Sequence, residues 1–479
     1  MFTSFNISLI FLLIIFQIKA EDKLVFVKTH FRHGARAPEY YYNEPYDYVK
    51  ENWTSPGELT GIGQRMHYLL GIRNRIRYIN ETNFLSKTFN PHEILIYSSS
   101  YNRTIVSVSS QLQGLYPQFE HIGEKLTKEQ EDNAVPRVNI DYDIIKTEIE
   151  NLNLSALPHS MMLAPVRMIS NIERKITVYD IEGCTDKRDN IKQKNQNLPS
   201  LIDIVNTFKG RFGEKLNEFY NSTIDYNLTI IGIFCDAFIA SYTDKREMIE
   251  LNQTGLNLTE INGYCHDFGK LYFRDWLLGD DEHVLAYVEV SRLMKEFIHY
   301  MKIRVDADIN HEDIDSDYQD FSRPKMLMVS GHDSTVSCHE VFLMDIFGKN
   351  LSFYEYPQYA TQIAFEVTTN DNTEANKTYE DYFIQYYFND ELKLNVSVKE
   401  FIDKVEPRIW SDKKINDFCG LNGNDDKESS TILIILIIFI SLTVIFLVVI
   451  VILSIILCKN NKRLASYRPN SLIPKDSEG

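Results

Sequence analysis

Short apolar runs bounded by charged residues alternate with longer helical patterns towards both ends of the chain. These runs have the length and composition of buried strands. They are residues 24–29, 93–97, 326–330, 361–368 and 382–388. The last run could pair with the one before it as a hairpin. Apolar residues at helical spacing predict helices over residues 61–78, 104–115 and 334–347. This rhythm predicts an α/β sandwich.

The middle of the chain, residues 121–320, has a different pattern. It is richer in charged residues at helical spacing and shows little strand signal. We therefore expect a mainly helical cap insertion that covers one face of an α/β core, the core being formed by residues 21–120 and 321–420.

The first of two long apolar runs lies at the beginning of the chain. Residues 7–16 have the length of the apolar part of a signal peptide, and Ala20 offers a small residue for cleavage. Lys and Arg are missing from the segment before the run. We predict a signal peptide over residues 1–20, with an uncleaved anchor as the alternative.

The second run, residues 431–458, contains no charged residue and consists mostly of Ile, Leu, Val and Phe. A helix of this length exceeds the hydrocarbon core of a bilayer, which is about 30 Å thick. Acidic residues precede the run and basic residues follow it, so the positive-inside rule places residues 459–479 in the cytosol. The sequence predicts a single-pass type I membrane protein with a linker over residues 421–430. Its body would face a lumen or the outside, in a lysosome, a secretory vesicle or at the cell surface.

Cysteines and glycosylation sequons agree with such a compartment. Sequons for N-glycosylation are dense, although several will be chance matches in a sequence rich in Asn. None of the six cysteines has the spacing of a metal site, so disulfides are favoured over zinc. An odd number of cysteines precedes the second apolar run, which leaves at least one free or paired between chains: Cys184, Cys235, Cys265, Cys338 and Cys419.

The net charge excludes one class of partner. Lys and Arg number 50 against 67 Asp and Glu, which gives a net charge of −17. A surface of that sign repels phosphate backbones, so we expect no nucleic-acid binding. A small basic pocket inside an acidic shell is still compatible with this charge.

The candidate chemistry follows directly after the first predicted strand. Arg32 and Arg36 flank His33, and Gly34 would allow the backbone to approach a ligand closely. Guanidinium groups that converge predict a phosphate or carboxylate ligand, because they repel one another without an anion. Like charge should also lower the pKa of His33 and keep it neutral and nucleophilic in mild acid. The alternative is a solvated basic loop with a structural histidine.

Residues 32–38, with the sequence RHGARAP, resemble the R-H-G-x-R-x-P signature of the histidine acid phosphatase family, a branch of the phosphohistidine superfamily. The resemblance continues in order through residues 59–78 and 97–117 to a distal Gly-His-Asp at residues 331–333. It is dense over residues 24–120 and 325–390 and weak between them. It implies a three-layer α/β sandwich with a mixed central sheet, like that of the phosphoglycerate mutases, with the helical cap inserted and one transmembrane helix following.

The resemblance implies an acid phosphatase that hydrolyses phosphate monoesters through a covalent phosphohistidine. His33 matches the nucleophile, and Asp333 matches the proton donor to the leaving alcohol. The groups that hold the phosphate oxygens supply the positive charge, so that no metal or other cofactor is expected: Arg32, Arg36, Arg103 and His332. A homodimer is common among related enzymes and stays open here.

This chain departs from the family near the second strand. Tyr97 stands where Arg is frequent, and Ser100 and Asn102 stand where Asp is frequent. Arg103 is kept, so we expect an altered supporting network rather than altered chemistry. Asn102 heads a sequon beside the site and is predicted to be unglycosylated, because a glycan there would obstruct the cleft.

The resemblance also implies a disulfide between Cys184 and Cys419. Another family disulfide is missing, because Gln362 stands near the place of one of its cysteines. Cys235 would then pair with Cys265 or Cys338, unless some of these thiols are simply buried.

Three other functions compete with the acid phosphatase. A phytase or inositol-polyphosphate phosphatase is a sister activity, but some of those enzymes have His-Ala-Glu where this chain has His332 and Asp333. A mutase would ordinarily be cytosolic, which the signal peptide and the anchor oppose. An inactive receptor or adhesion ectodomain has no reason to keep all six site residues.

Other aromatic and histidine residues are expected to have structural or surface roles. His30 would pack at the strand end or beside the site, His67 would lie on a helix near the rim, and His266 in an exposed loop. The tyrosines at 40–42 and Tyr46 would form either a cleft wall or a surface loop.

Overall fold

The computed structural model describes most of the chain between residues 22 and 457. The described residues are 22–39, 53, 55–117, 125–134, 142–168, 184–246, 248–279, 283–315, 323–348, 354–370, 376–420, 438–443 and 445–457. The chain divides into two units, Met1–Ile415 and Asn416–Gly479. The predicted signal peptide, linker and cytosolic tail lie outside the described residues, as do the tyrosines at 40–42 and Tyr46.

Seven strands in the described part of the first unit form one sheet: β1 Lys23–Arg32, β2 Ile94–Ser98, β3 Arg167–Met168, β4 Met326–Gly331, β5 Gln362–Thr369, β6 Tyr382–Phe388 and β7 Glu391–Ser397. Their order across the sheet is β3-β2-β4-β1-β5-β6-β7. The first four of these neighbours pair in parallel, and β5, β6 and β7 pair antiparallel. The predicted α/β class and mixed sheet are confirmed, and so is the pairing of β5 with β6.

The helices between and after these strands are α1 Gly61–Arg75, α2 Asn102–Leu115, α3 Lys128–Asn133, α4 Tyr142–Leu152, α5 Thr185–Asn195, α6 Pro199–Phe208, α7 Glu214–Phe219, α8 Leu228–Thr243, α9 Ile249–Gln253, α10 Leu258–Leu271, α11 Val284–Ile309, α12 Asp333–Phe347, α13 Val398–Val405 and α14 Asp412–Cys419. The Thr60 side chain caps α1 by accepting from the backbone N–H of Gly63. Gly348, with φ 67°, ends α12 in the left-handed conformation that glycine adopts readily. The described part of residues 121–320 is mainly helical, but β3 at Arg167–Met168 lies within it and pairs with β2 of the sheet. The domain boundaries stay predictions.

β1 is central in the sheet and buried on both sides, because helices cover both faces of the sheet. Val27 and Phe31 face a hydrophobic cluster that includes Met328 of β4 and residues of α2. Residues of β1 at the alternate positions face the other way, where Phe26 stacks on Phe297 of α11 at 5.8 Å between ring centroids. The sheet therefore lies between α1 and α2 on one face and α11 and α12 on the other.

The helical middle of the chain has a core of its own, built largely from aromatic side chains. Phe208, Phe234 and Tyr264 are buried together there, with ring centroids of Phe208 and Phe234 5.2 Å apart. Ala37, just after β1, belongs to the same cluster. The helical part therefore packs over the carboxyl end of β1 and brings Asp236 of α8 to that end.

Disulfides follow the sequence predictions as far as the structure tests them. Cys235 and Cys265 are bonded, which selects one of the two predicted pairings and joins α8 to α10. Cys184 and Cys419 are also disulfide-bonded, and their pairing with each other stays a prediction. Cys338 is buried and free, in agreement with an odd number of cysteines.

The second unit contains an apolar helix, Ile438–Leu457. By length and composition this helix could cross a membrane, and it lies within the predicted span of residues 431–458. The orientation of the chain in a membrane stays a prediction.

Candidate active site

The signature segment and the distal motif meet because their strands are parallel neighbours. Arg32 at the end of β1 and Gly331 at the end of β4 are register partners. The backbone N–H of His33 donates to the carbonyl oxygen of Gly331 at 3.0 Å. His332 and Asp333 follow directly, so groups about three hundred positions apart in the chain share the carboxyl edge of the sheet, where ligands bind in α/β proteins.

The imidazole of His33 is buried, with 2% of the residue exposed. Burial lowers its pKa well below the ordinary value, and the charges of Arg103, Arg32 and Arg36 lower it further. The sequence predicted this direction from the arginines, whereas burial is the larger cause. Nδ1 lies 2.9 Å from the carbonyl oxygen of Gly34. Because a carbonyl oxygen can only accept, Nδ1 carries the proton and Nε2 keeps its lone pair.

Gly34 is required by packing. A Cβ atom on Gly34 would lie 2.4 Å from the carbonyl oxygen of Gly63, at the start of α1. The backbone N–H of Gly34 also donates to Ser107 Oγ of α2 at 3.1 Å. The sequence predicts close approach of an anion at this glycine. Its tightest contact is instead with α1, and this contact fixes the backbone that carries His33.

Two of the three arginines are paired with carboxylates that the sequence analysis did not single out. Arg36 binds Asp236 of α8 through both terminal nitrogens, at 2.8 and 3.3 Å. Arg103 Nη2 lies 2.6 Å from Glu39 Oε1. Asp236 is the lone charged residue of the apolar helix α8, which is a signal that could have identified it. Glu39 follows the signature directly, a position the motif leaves unspecified.

Asp333 and His332 lie at the beginning of α12. Asp333 Oδ2 is 2.8 Å from Arg32 Nη2, and 21% of the aspartate side chain is exposed. Its other oxygen accepts from the backbone N–H of Ser334 at 2.9 Å. His332 Nε2 lies 2.9 Å from Ser99 Oγ, and burial is the largest cause that lowers the pKa of this histidine well below its ordinary value. The two histidine rings of the site therefore both favour the neutral form.

Arg103 enters the site from the first turn of α2, directly after β2. Burial lowers its pKa, and so does the charge of Arg36. Tyr97 at the end of β2, where family members often carry Arg, donates to Glu296 of α11 at 2.8 Å. Asn102 donates to Glu58 at 2.9 Å, and whether it is glycosylated stays a prediction.

A cavity of about 330 Å³ opens beside the arginine of the first strand. Arg32, Tyr242, Tyr359 and Lys245 contribute to its wall. His266 also lines this cavity from α10, so its prediction as an exposed loop residue was wrong. The sequence around His266 did not reveal which side of a helix it occupies. Tyr359 lies against the Arg32 guanidinium at 4.5 Å from the ring centroid.

His67 is buried in the interior, and its prediction as a rim residue was wrong. Its Nδ1 lies 3.1 Å from Gln111 Oε1 of α2. Gln111 in turn donates to Gln362 of β5, which exchanges two hydrogen bonds with Asn74 of α1. We call these four residues the amide network. It includes Gln362, the residue that stands near the place of a family cysteine. His30 is buried against Gly331, consistent with packing beside the site.

The chain belongs to the histidine phosphatase superfamily. Within it the match is to branch 2, whose family model covers residues 23–389. This confirms the family resemblance.

Individual relatives agree with this family. The chain is 40% identical to the lysosomal acid phosphatase of Xenopus laevis over 97 residues, 20% of this chain and 21% of that protein. It is 22% identical to the prostatic acid phosphatase of Bos taurus over 435 residues, 86% of this chain and 92% of that protein. The chain spans only about a fifth of the length of the first curated relatives that it matches. The phytase structure from Citrobacter braakii matches with a TM-score of 0.49 and 13% identity, covering 83% of this chain and 98% of that one.

Proposed function

We propose that this protein is an acid phosphatase that hydrolyses phosphate monoesters through a phosphohistidine on His33. The observation that carries the proposal is the buried imidazole of His33 among Arg103, Arg32 and Arg36, where burial and the charges of these cations lower its pKa well below the ordinary value. Such surroundings suit a nucleophile that attacks a group with charge on several oxygens. The superfamily to which the chain belongs and its acid phosphatase relatives support the same activity.

In the first proposed step, Nε2 of His33 attacks phosphorus and the bond from phosphorus to the ester oxygen breaks. The arginines and His332 bind the other phosphoryl oxygens, while Asp236 stays bound to Arg36. The leaving alkoxide takes a proton from the carboxyl group of Asp333, which lies at the exposed side of the site. The products are an alcohol and the phosphohistidine.

In the second step, water attacks phosphorus and the bond from phosphorus to Nε2 breaks. The Asp333 carboxylate takes one proton from this water and is thereby returned to its starting form. Inorganic phosphate leaves and His33 is again neutral, because the proton on its Nδ1, which donates to the carbonyl oxygen of Gly34, stays on the ring throughout. The arginines supply the positive charge, so this sequence of steps needs no metal or organic cofactor.

We propose further that the body of the protein lies in a lumen or outside the cell, anchored by its C-terminal apolar helix. The helix Ile438–Leu457 has a suitable length and composition, and basic residues follow it in the sequence. Mild acid, as in a lysosome or a secretory vesicle, suits an enzyme that uses a carboxyl group as proton donor.

The test is to compare His33→Ala with the wild type on p-nitrophenyl phosphate in mild acid, with the full chain solubilised in detergent. Loss of a nucleophile should lower kcat by about a thousandfold or more. His299→Ala, which removes an exposed histidine of α11, is the control and should keep full activity. Equal activity of His33→Ala and wild type would contradict the proposal.

A further inference from the structure

We propose that the carboxylate of Glu39 competes with phosphate for Arg103. One of its oxygens occupies the place of a phosphate oxygen, and this competition sets how tightly the site binds its anion. The inference rests on the proposed function and adds to it a residue that determines affinity. Glu39 lies outside the family signature, immediately after its proline.

The contacts of Glu39 place its charge within the anion site. Oε1 lies 2.6 Å from Arg103 Nη2, and Oε2 lies 3.9 Å from Arg36 Nη2. The carboxylate therefore faces two of the three guanidinium groups that are proposed to bind the phosphoryl oxygens. One third of its side chain is exposed, against 10% for Arg103 and 6% for Arg36. Glu39 is therefore the solvent-exposed partner of two buried cations.

The backbone of Glu39 is fixed while its side chain has an open side. Its N–H donates to Asp236 Oδ2 at 3.0 Å, and the preceding Pro38 accepts from the backbone N–H of Gly57 at 2.9 Å. The side chain can therefore rotate away without moving the signature loop. Asp236 differs, because it binds Arg36 through two nitrogens and the backbone of Glu39 as well. We assign Asp236 to positioning of Arg36 and Glu39 to competition at Arg103.

Competition follows from chemistry that carboxylate and phosphate share. Both bind guanidinium N–H groups through anionic oxygens, and an oxygen of one excludes an oxygen of the other from the same N–H. A carboxylate left within a few ångströms of a bound phosphate would also repel it, and the effect is strong in a partly buried site. Phosphate must therefore displace Glu39 or bind against its charge.

The substitution Glu39→Gln removes the charge and keeps the shape. We expect the Kd for inorganic phosphate, measured by calorimetry on the full chain in detergent at about pH 6, to fall about three- to tenfold, because an amide repels phosphate far less than a carboxylate does. The KM for p-nitrophenyl phosphate should fall by a similar factor. Glu39→Asp keeps the charge and should not tighten phosphate binding. Glu58→Gln is the matched control, because Glu58 accepts from the uncharged amide of Asn102, and it should bind phosphate like the wild type.

Weaker or unchanged phosphate binding by Glu39→Gln, in a variant with the wild-type melting temperature, would overturn the inference and leave Glu39 as an aligning partner of Arg103. A melting temperature that falls for Glu39→Gln would likewise assign Glu39 a structural role and overturn it. The outcome is separable from that of the proposed function, since phosphate binding is measured without turnover. A wild type that binds phosphate but does not hydrolyse esters contradicts only the proposed function.

Discussion

At the scale of single residues, the site is a set of buried charges whose partners decide what each can do. The arginines stay charged because each lies beside a carboxylate, whereas burial and the charges of the neighbouring arginines, the largest effects on the pKa of His33, all lower it. Imidazole is far less basic than guanidinium. Where the two lie side by side in a buried site, the histidine therefore gives up its proton and the arginines keep theirs. The proposed nucleophile and the proposed anion site both depend on this difference in basicity between neighbouring side chains.

The proposed role of Asp333 predicts a dependence on the leaving group. Asp333→Asn keeps an oxygen for Arg32 and removes the proton that an alkoxide needs. We expect kcat on glycerol phosphate to fall by about 10²–10⁴-fold, the usual contribution of a general acid. With p-nitrophenyl phosphate the rate of the first step should fall less, because p-nitrophenolate leaves without protonation.

Burst kinetics of the phosphohistidine step with both esters measure this directly. Asp345→Asn, at the far end of α12, is a matched control and should leave both rates unchanged. Equal losses on the two esters would contradict the assignment of Asp333 as proton donor.

At the scale of elements, the site depends on the parallel pairing of β1 with β4 and on the buried polar side chains that pack around these strands on the two faces of the sheet. The amide network joins α1, α2 and β5 on one face, with His67 at its end. Every polar group in such a buried network needs its partner, because an unsatisfied amide costs free energy that the fold does not recover.

The amide network predicts a stability effect at Gln362. Gln362→Leu leaves Asn74 and Gln111 without the partner that each has now. The free energy of unfolding should fall by about 1–3 kcal/mol, the usual effect of a lost buried hydrogen bond. Urea denaturation measures it, with Gln64→Leu on the exposed side of α1 as control. No loss of stability would show that the amides find other partners.

On the other face, three buried bases lie between β1, α11 and α12. Lys28 Nζ is 3.1 Å from His339 Nε2, and the His339 ring is 5.1 Å from that of His30. Burial lowers the pKa of Lys28 to about 7, with Glu296 of α11 acting in the opposite direction. Burial also lowers the pKa values of both histidines well below the ordinary value.

These shifts predict that the protein loses stability as the pH falls. Each base has a lower pKa folded than unfolded, so the unfolded chain binds more protons. The stability that neutral Lys28 contributes is lost between pH 10.5, its unfolded pKa, and about pH 7. The contribution of the two histidines is lost from pH 6.5, their unfolded pKa, downwards. The melting temperature should therefore be lower at about pH 5 than at about pH 8, and Lys28→Met combined with His339→Leu should reduce this difference.

The exposed pair Lys295→Met and His299→Leu on α11 is the control and should leave the pH dependence unchanged. If the melting temperature of the double variant Lys28→Met and His339→Leu depends on pH as strongly as that of the wild type, burial of these bases is not the cause of the pH dependence.

At the scale of the whole molecule, most of the sheet and the proposed catalytic residues could be predicted from sequence because both follow local rules. The strand that ends at Arg32 is a short apolar run, and residues 32–38 follow it directly. Asp236 and Glu39 were missed because their importance depends on how the helical middle folds over β1. The burial of His67 likewise depends on α2 packing against α1, which periodicity does not show. β7 was missed because its residues are only partly buried and lack a clear apolar alternation.

The most direct test of the account is to trap the phosphoenzyme and locate the phosphate. The full chain is mixed with a labelled phosphomonoester in mild acid, quenched in base, in which phosphohistidine is stable, and digested for mass spectrometry. The proposed phosphohistidine mechanism predicts label on Nε2 of His33, and none in the His33→Ala variant treated in the same way. Label on another side chain, or rapid turnover with no covalent phosphate at His33, would contradict it.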